Sequence, residues 1–181
     1  MNFLKPENFC SINKCLYEDN QYALIQASFN GDIVTIKHLL HCKNVDINKS
    51  DVDGYTALIM SVANGNLNLV NCLLECENIN INLQDIYGYT TLIYAANNGN
   101  ADIVNRLLKC KDININIQNR DNQTAFDLAS ERGHLNIVKQ LKEFKLKQLC
   151  DGIELAKIYI PIDIVNLIND FFYTYENQKK N

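Results

Sequence analysis

The chain has 181 residues, with 17 Lys and Arg against 21 Asp and Glu, and the resulting net charge of −4 provides no broad basic field for tracking phosphates or an anionic bilayer. Nucleic acid and membrane are therefore excluded as expected partners, and no stretch approaches the roughly 18 consecutive apolar residues of a membrane span. The seven cysteines are an odd number, and Cys42, Cys76 and Cys110 recur in one register, which implies a repeat and a reducing compartment rather than a disulfide framework.

Residues 1–19 open MNFLKPENFCSINK, with neither a basic n-region nor an apolar h-region, so an unexported, cytoplasmic protein is expected. Pro6 and the apolar set Phe9, Ile12 and Leu16 make this segment an N-terminal cap.

From residue 20 onward, the sequence repeats itself at an offset of 34. Gly31, Gly65, Gly99 and Gly133 fall in register, as do Thr56, Thr90 and Thr124, with Tyr22 in the first copy. Leu24, Leu58, Leu92 and Phe126 align, and so do Asn48, Asn82 and Asn116. The pairs Ile33-Val34, Leu69-Val70, Ile103-Val104 and Ile137-Val138 stand at nearly matching places. Within one unit, a Thr opens a short apolar helix and Asn-Gly breaks it. A second helix then carries Leu67, Val70, Leu73 and Leu74 at helical spacing, followed by an extended loop. Neither helix buries its apolar face alone, so neighbouring units must cover it.

The recurring pattern D-x-x-G-x-T-x-L-x-x-A-x-x-x-G-x-x-x-x-V-x-x-L-L, with Ile-Asn at its end, resembles the ankyrin repeat over residues 20–147. The resemblance implies an all-α solenoid of four repeats with hairpin loops, at about 20–50, 51–84, 85–118 and 119–147. The sequence is similar to the short Asn/Ile-rich ankyrin proteins of giant DNA viruses and amoebae, which would place it in a host cytoplasm, or alternatively a nucleus. The family's usual Pro and His at the helix start are absent from Thr56-Ala57-Leu58-Ile59 and Thr90-Thr91-Leu92-Ile93, yet the Thr hydroxyl is still able to cap. Each unit is one residue longer than the usual repeat. Asn44, Asn78 and Asp112 stand where the family places Gly, and a left-handed helix terminus is expected at them. Asn122 replaces the hairpin Gly in the fourth copy and is expected to take positive φ.

No Gly-rich phosphate loop, nucleophile elbow, H-E-x-x-H or C-x-x-C is present, so no enzyme and no cofactor are expected. His38 with Cys42, and Cys72 with Cys76, each make half of a metal site without a second pair, so packing roles are expected and no metal. His134 falls where ankyrin repeats usually carry a helix-start His, and His41 lies on a surface helix. Asp51, Asp53, Asp85 and Asp121 belong to hairpin loops, where Asp shapes turns. Lys139, Lys142, Lys145 and Lys147, with Glu143 among them, form a solvated helix face.

In the family, hairpin tips and the ends of the first helices line a concave face where a partner protein docks. Carried over, the tips hold Val52, Asp53 and Tyr55, then Ile86, Tyr87 and Tyr89, then Arg120, Asp121 and Gln123. The helix ends hold Phe29 and Asn30, Ala63 and Asn64, Asn97 and Asn98, and Glu131 and Arg132. A monomer binding through Phe29, Val52, Tyr55, Asn64, Ile86, Tyr87, Tyr89, Asn97, Asn98, Arg120, Gln123 and Arg132 is expected, because rigid aromatics dominate interface hot spots. The alternative is that Tyr55 and Tyr89 stack on each other and that the three Asn residues only end their helices. Asn48 lies in Leu40-x5-Asp46-Ile47-Asn48, a spacing similar to ankyrin sites modified by an asparaginyl hydroxylase. The alternative there is a structural Asn bonding the loop backbone.

Residues 148–175 depart from the repeat. Leu149, Ile153, Leu155, Ala156 and Ile158 suit one helix, and Pro161 starts another with Ile164, Val165, Leu167, Ile168, Phe171 and Phe172 on one face. The segment Ile160 to Ile168 resembles the opening of an F-box, which implies a cullin ubiquitin ligase adaptor in which Pro161, Ile164, Leu167, Ile168 and Phe171 contact the ligase. Leu146 to Cys150 is similar to an Elongin-recruiting box, with Glu154 out of place. A plain helical cap on the fourth repeat is the third reading. The tail, 176–181, is polar.

Overall fold

The structure, a computed structural model, describes residues 20–42 and 45–155. The expected N-terminal cap, Asn44, the Pro161 helix with its ligase-contact residues and the polar tail lie outside the described residues.

Eight helices are found among them: α1 (Asn20–Asn30), α2 (Ile33–Leu40), α3 (Ala57–Ala63), α4 (Leu67–Leu74), α5 (Thr91–Asn97), α6 (Ala101–Leu107), α7 (Ala125–Glu131) and α8 (Leu135–Leu155). Their starts follow from local chemistry. The hydroxyls of Thr56, Thr90 and Thr124 accept from the backbone N–H of Ile59, Ile93 and Asp127, and Asp127 returns a bond to Thr124 to complete a capping box. Asp32 and Asn66 cap α2 and α4 in the same way.

The break inside each unit is a left-handed glycine. Gly31, Gly65, Gly99 and Gly133 have φ of 74°, 67°, 74° and 73°. The N–H of the next residue reaches back to the helix before it, as in Asn66 to Ser61 O at 2.9 Å and His134 to Ala129 O at 2.8 Å. That reversal folds the second helix of each unit against the first.

Through Leu141 the units stack in two rows. α1 packs on α3, α3 on α5 and α5 on α7, while α2 packs on α4 and α4 on α6. The rows approach closely because Ala27, Ser61, Ala95 and Ala129, all at most 5% exposed, put small side chains between the first helices. Leu24, Leu58 and Leu92 fill one layer, Leu39, Leu73, Leu107 and Leu141 another, and Ile47, Ile81 and Ile115 seal the loop side. In the first repeat the core position is Ile36, at 0% exposure, whereas Val34 is 60% exposed; the expected Ile33-Val34 alignment is therefore displaced by two residues.

Two further expectations are corrected. Asn122 is the one described non-glycine residue with positive φ, at 59°, so Asn78 and Asp112 do not take the left-handed form. The extra residue is absorbed differently: successive turns, such as Cys76 N–H to Leu73 O and Ile79 N–H to Cys76 O, carry the chain away from the helix. The carbonyls of Asn78 and Asp112 are then bonded from the preceding repeat. Secondly, one helix, α8, covers Leu135–Leu155, so residues 148–155, expected to depart from the repeat, continue the second helix of the fourth repeat.

Candidate partner-binding surface

Each loop between repeats is built on one side chain. Asp51, Asp85 and Asn119 each accept two backbone N–H groups with one oxygen: from Asp53 and Tyr55, from Tyr87 and Tyr89, and from Asp121 and Gln123, at 2.8–3.0 Å. The hairpin closes through bonds such as Asp85 N–H to Tyr89 O. Neighbouring tips are joined by Ile86 N–H to Asp53 O and Arg120 N–H to Tyr87 O, each 3.0 Å, so the three tips form one continuous edge.

The ends of the first helices are linked by a second series. Asn64 Nδ2 donates to Phe29 O at 3.0 Å, Asn98 Nδ2 to Ala63 O at 3.2 Å, and His134 Nε2 lies 3.2 Å from Asn97 O. The Asn64 and Asn98 amide groups thus bind the array to itself. Tip and helix end meet directly in the fourth repeat, where Gln123 Nε2 donates to the Glu131 carboxylate at 2.9 Å.

On the far side of the loops, Asn48 Nδ2 donates to Asn78 O at 2.7 Å and Asn48 Oδ1 accepts from Asn80 N–H at 2.7 Å. Asn82 repeats this to Asp112 and Asn114. Asn48 therefore has a structural role, as one rung of a ladder between repeats.

Of the eight large apolar side chains exposed among the described residues, four stand on the tips and helix ends, while Tyr22, Val34, Leu135 and Leu149 are exposed elsewhere on the helices. Val52 is 87% exposed, Phe29 58% and Tyr87 55%, with Ile86 at 37%. Arg120, Arg132, Asn64 and Asn98 are exposed, whereas Tyr55, Tyr89, Asn97 and Gln123 are half-buried. Tyr55, Tyr87, Tyr89 and Arg120, together with Tyr94 and Asp121, line an open recess of about 480 Å³.

Tyr55 and Tyr89 do not stack on each other; each pairs instead with Tyr94, from α5. Its ring centroid lies 5.1 Å from Tyr89 and 6.4 Å from Tyr55, at tilts of 47° and 45°. The Tyr94 hydroxyl donates to Asp85 Oδ2 at 2.6 Å and lies 3.3 Å from the Tyr55 hydroxyl. Burial pushes the Tyr94 phenol well above its ordinary range, and the hydrogen bond to Asp85 adds to that shift by favouring the neutral form. Asp85 is only 6% exposed. Sequence reasoning missed Tyr94 and the second role of Asp85. The available signal was register: Tyr94 stands where the other copies have Gln26, Met60 and Leu128.

The other candidates serve the fold. Cys42 Sγ approaches His38 O at 3.6 Å, and burial raises the thiols of Cys72 and Cys76. Among the described residues, no three His, Cys, Asp or Glu side chains gather as metal ligands, and no helix is long and apolar enough to cross a membrane.

The family model described as Ankyrin repeats (3 copies) matches residues 2–85 and 60–151. The chain belongs to the ankyrin-repeat family. Ankyrin repeats are in general protein–protein interaction modules and are typically non-enzymatic. No curated protein matches the chain.

Proposed function

We propose that this ankyrin-repeat protein binds a partner protein through the edge formed by its hairpin tips and first-helix ends, as a scaffold or decoy without catalytic activity. The observation that carries the reading is the run of exposed Val52, Ile86 and Tyr87 beside the tyrosine recess, on loops already hydrogen-bonded to one another. Large apolar side chains held rigidly at the surface bind at low entropic cost, which is what hot spots require. The reading entails a monomer in a reducing cytoplasm, of the host if the source is viral.

The test uses Tyr87→Ala and Val52→Ser, because both side chains are exposed, whereas Tyr55 and Tyr89 also pack against Tyr94. Partners are identified by affinity purification and mass spectrometry. Each substitution is then expected to change folding by less than about 0.5 kcal/mol. Tyr87→Ala is expected to weaken partner binding by about 2 kcal/mol, roughly thirtyfold. Leu73→Ala, which empties a site of 0% exposure, serves as the stability control at about 2–5 kcal/mol. Normal binding by both surface variants sinks the proposal.

A second reading rests on sequence: the likeness of Ile160 to Ile168 to an F-box opening favours a ubiquitin ligase adaptor, with the repeats holding a target. It requires that a chain truncated after Cys150 still captures the target and loses cullin subunits. Retention of cullin by the truncated chain, or its absence from the intact one, removes this reading.

A further inference from the structure

We infer that the tyrosine recess receives a cationic side chain, an arginine or lysine of the partner; this rests on the partner-binding reading above and specifies the chemistry of its contact. Four phenol rings, from Tyr55, Tyr87, Tyr89 and Tyr94, line one open recess, and aromatic faces attract cations through their quadrupole. Behind them lies the Asp85 carboxylate, which is buried. One of its oxygens is taken by the two loop N–H groups and the other by the Tyr94 hydroxyl, all neutral donors, so its charge is screened by dipoles but not cancelled.

Among the described residues no Lys or Arg pairs with Asp85. Arg120 and Asp121 both line the recess, and their opposite charges offset each other there. Asp51 and Asp53 add two carboxylates on the adjoining tip, which is bonded to this one through Ile86 N–H to Asp53 O. The edge around the recess thus holds Asp51, Asp53, Asp85 and Asp121 against Arg120, a net of −3 that favours a basic segment over an acidic one. Guanidinium suits the site well, since it stacks on rings while keeping donors directed to the carboxylate side.

The competing occupant is an acidic segment paired with Arg120, and the two make opposite predictions for one variant. The full chain, with its tyrosine rings isotope-labelled, is titrated by NMR with acetyl-Gly-Arg-Gly-amide, acetyl-Gly-Glu-Gly-amide and tetramethylammonium, a cation without hydrogen-bond donors. Saturable shifts of the Tyr55, Tyr89 and Tyr94 ring signals are expected with the arginine peptide and with tetramethylammonium, and none with the glutamate peptide. Asp85→Asn is expected to weaken the arginine peptide by about fivefold or more. Its loop is protected, because Asn119 builds the same loop in the next repeat with the same two backbone bonds, and only the bond to the Tyr94 hydroxyl changes, the amide Nδ2 donating to that oxygen where the carboxylate accepted from it. Arg120→Gln, on an exposed side chain, is expected to leave arginine binding unchanged or tighter. Weaker arginine binding by Arg120→Gln, equal binding by Asp85→Asn, or saturation by the glutamate peptide alone overturns the inference. Partner loss in Tyr87→Ala without cation binding leaves the partner-binding reading standing and removes only this one; cation binding with an unaffected partner removes the partner-binding reading and, with it, the assignment of the cation to the partner.

Discussion

The asparagine ladder lets the stability of the repeat interfaces be measured with an internal control. Asn82 is bonded across the boundary between the second and third repeats, Nδ2 to Asp112 O at 2.7 Å and Oδ1 from Asn114 N–H at 3.0 Å. Asn82→Ala deletes both. A net hydrogen bond contributes about 0.5–1.5 kcal/mol, and the freed groups belong to exposed residues that water reaches, which moves the sum toward the lower half of the range, about 1–2 kcal/mol. Asn116 is the control: it holds the same register, its backbone N–H bonds Asn114, and its side chain makes no hydrogen bond among the described residues. Asn116→Ala is expected to cost less than about 0.5 kcal/mol. Urea unfolding followed by circular dichroism measures both, and the Asn82→Ala midpoint is expected to fall by about 0.5–1 M. Because repeat arrays are held by nearest-neighbour interfaces, a broadened transition for Asn82→Ala alone would be a further expected sign of weakened coupling. Equal losses for the two variants would refute the ladder as a source of interface stability.

Gly133→Ala is expected to cost only the left-handed backbone penalty of about 1–2 kcal/mol, since an added methyl meets nothing there, while Gly54→Ala also drives a methyl to 2.7 Å from the Asp85 backbone and is expected to cost clearly more by the same unfolding assay. The Tyr94 phenol is raised above its ordinary 10.0 in the fold, so its contribution is complete below that value and is lost progressively as pH rises from there toward the raised folded value. The stability difference between the native chain and Tyr94→Phe is therefore expected to shrink between pH 9 and about 11 in denaturant titrations, and a pH-independent difference would contradict the burial of that hydroxyl. Chelator is expected to leave the melting temperature unchanged, and a fall of several degrees would reinstate the Cys72–Cys76 and His38–Cys42 pairs as ligands.

The parts of this fold that were legible in the sequence are those governed by a single residue and its immediate neighbours. Thr56, Thr90 and Thr124 announce helix starts because a β-region hydroxyl caps the next turn, and the four glycines announce reversals because few other residues tolerate their φ. Asn122 was readable for the same reason. Asn78 and Asp112 misled because tolerance of a left-handed conformation is not a requirement for it: here the carbonyl's bond to the preceding repeat decides the loop, and that bond spans 30 residues.

The recess shows the same division. Tyr55, Tyr87 and Tyr89 could be assigned to the edge from their place in the repeat, since every tip occupies the same position relative to its own helices. What they form together depends on Tyr94, whose position in the unit faces the neighbouring loop only once two repeats are stacked. Its hydroxyl reaches Asp85 nine residues away in its own unit, and comes within 3.3 Å of Tyr55, which lies 39 residues away in the unit before. A periodic sequence hides such a site, because the positions that repeat carry the stack, while a specific contact arises where one copy departs from the others. In a repeat protein the residues that break register on the exposed edge are therefore the first place to look for what the array recognises, whereas those that keep it, such as Leu73 and Leu107, maintain the stack.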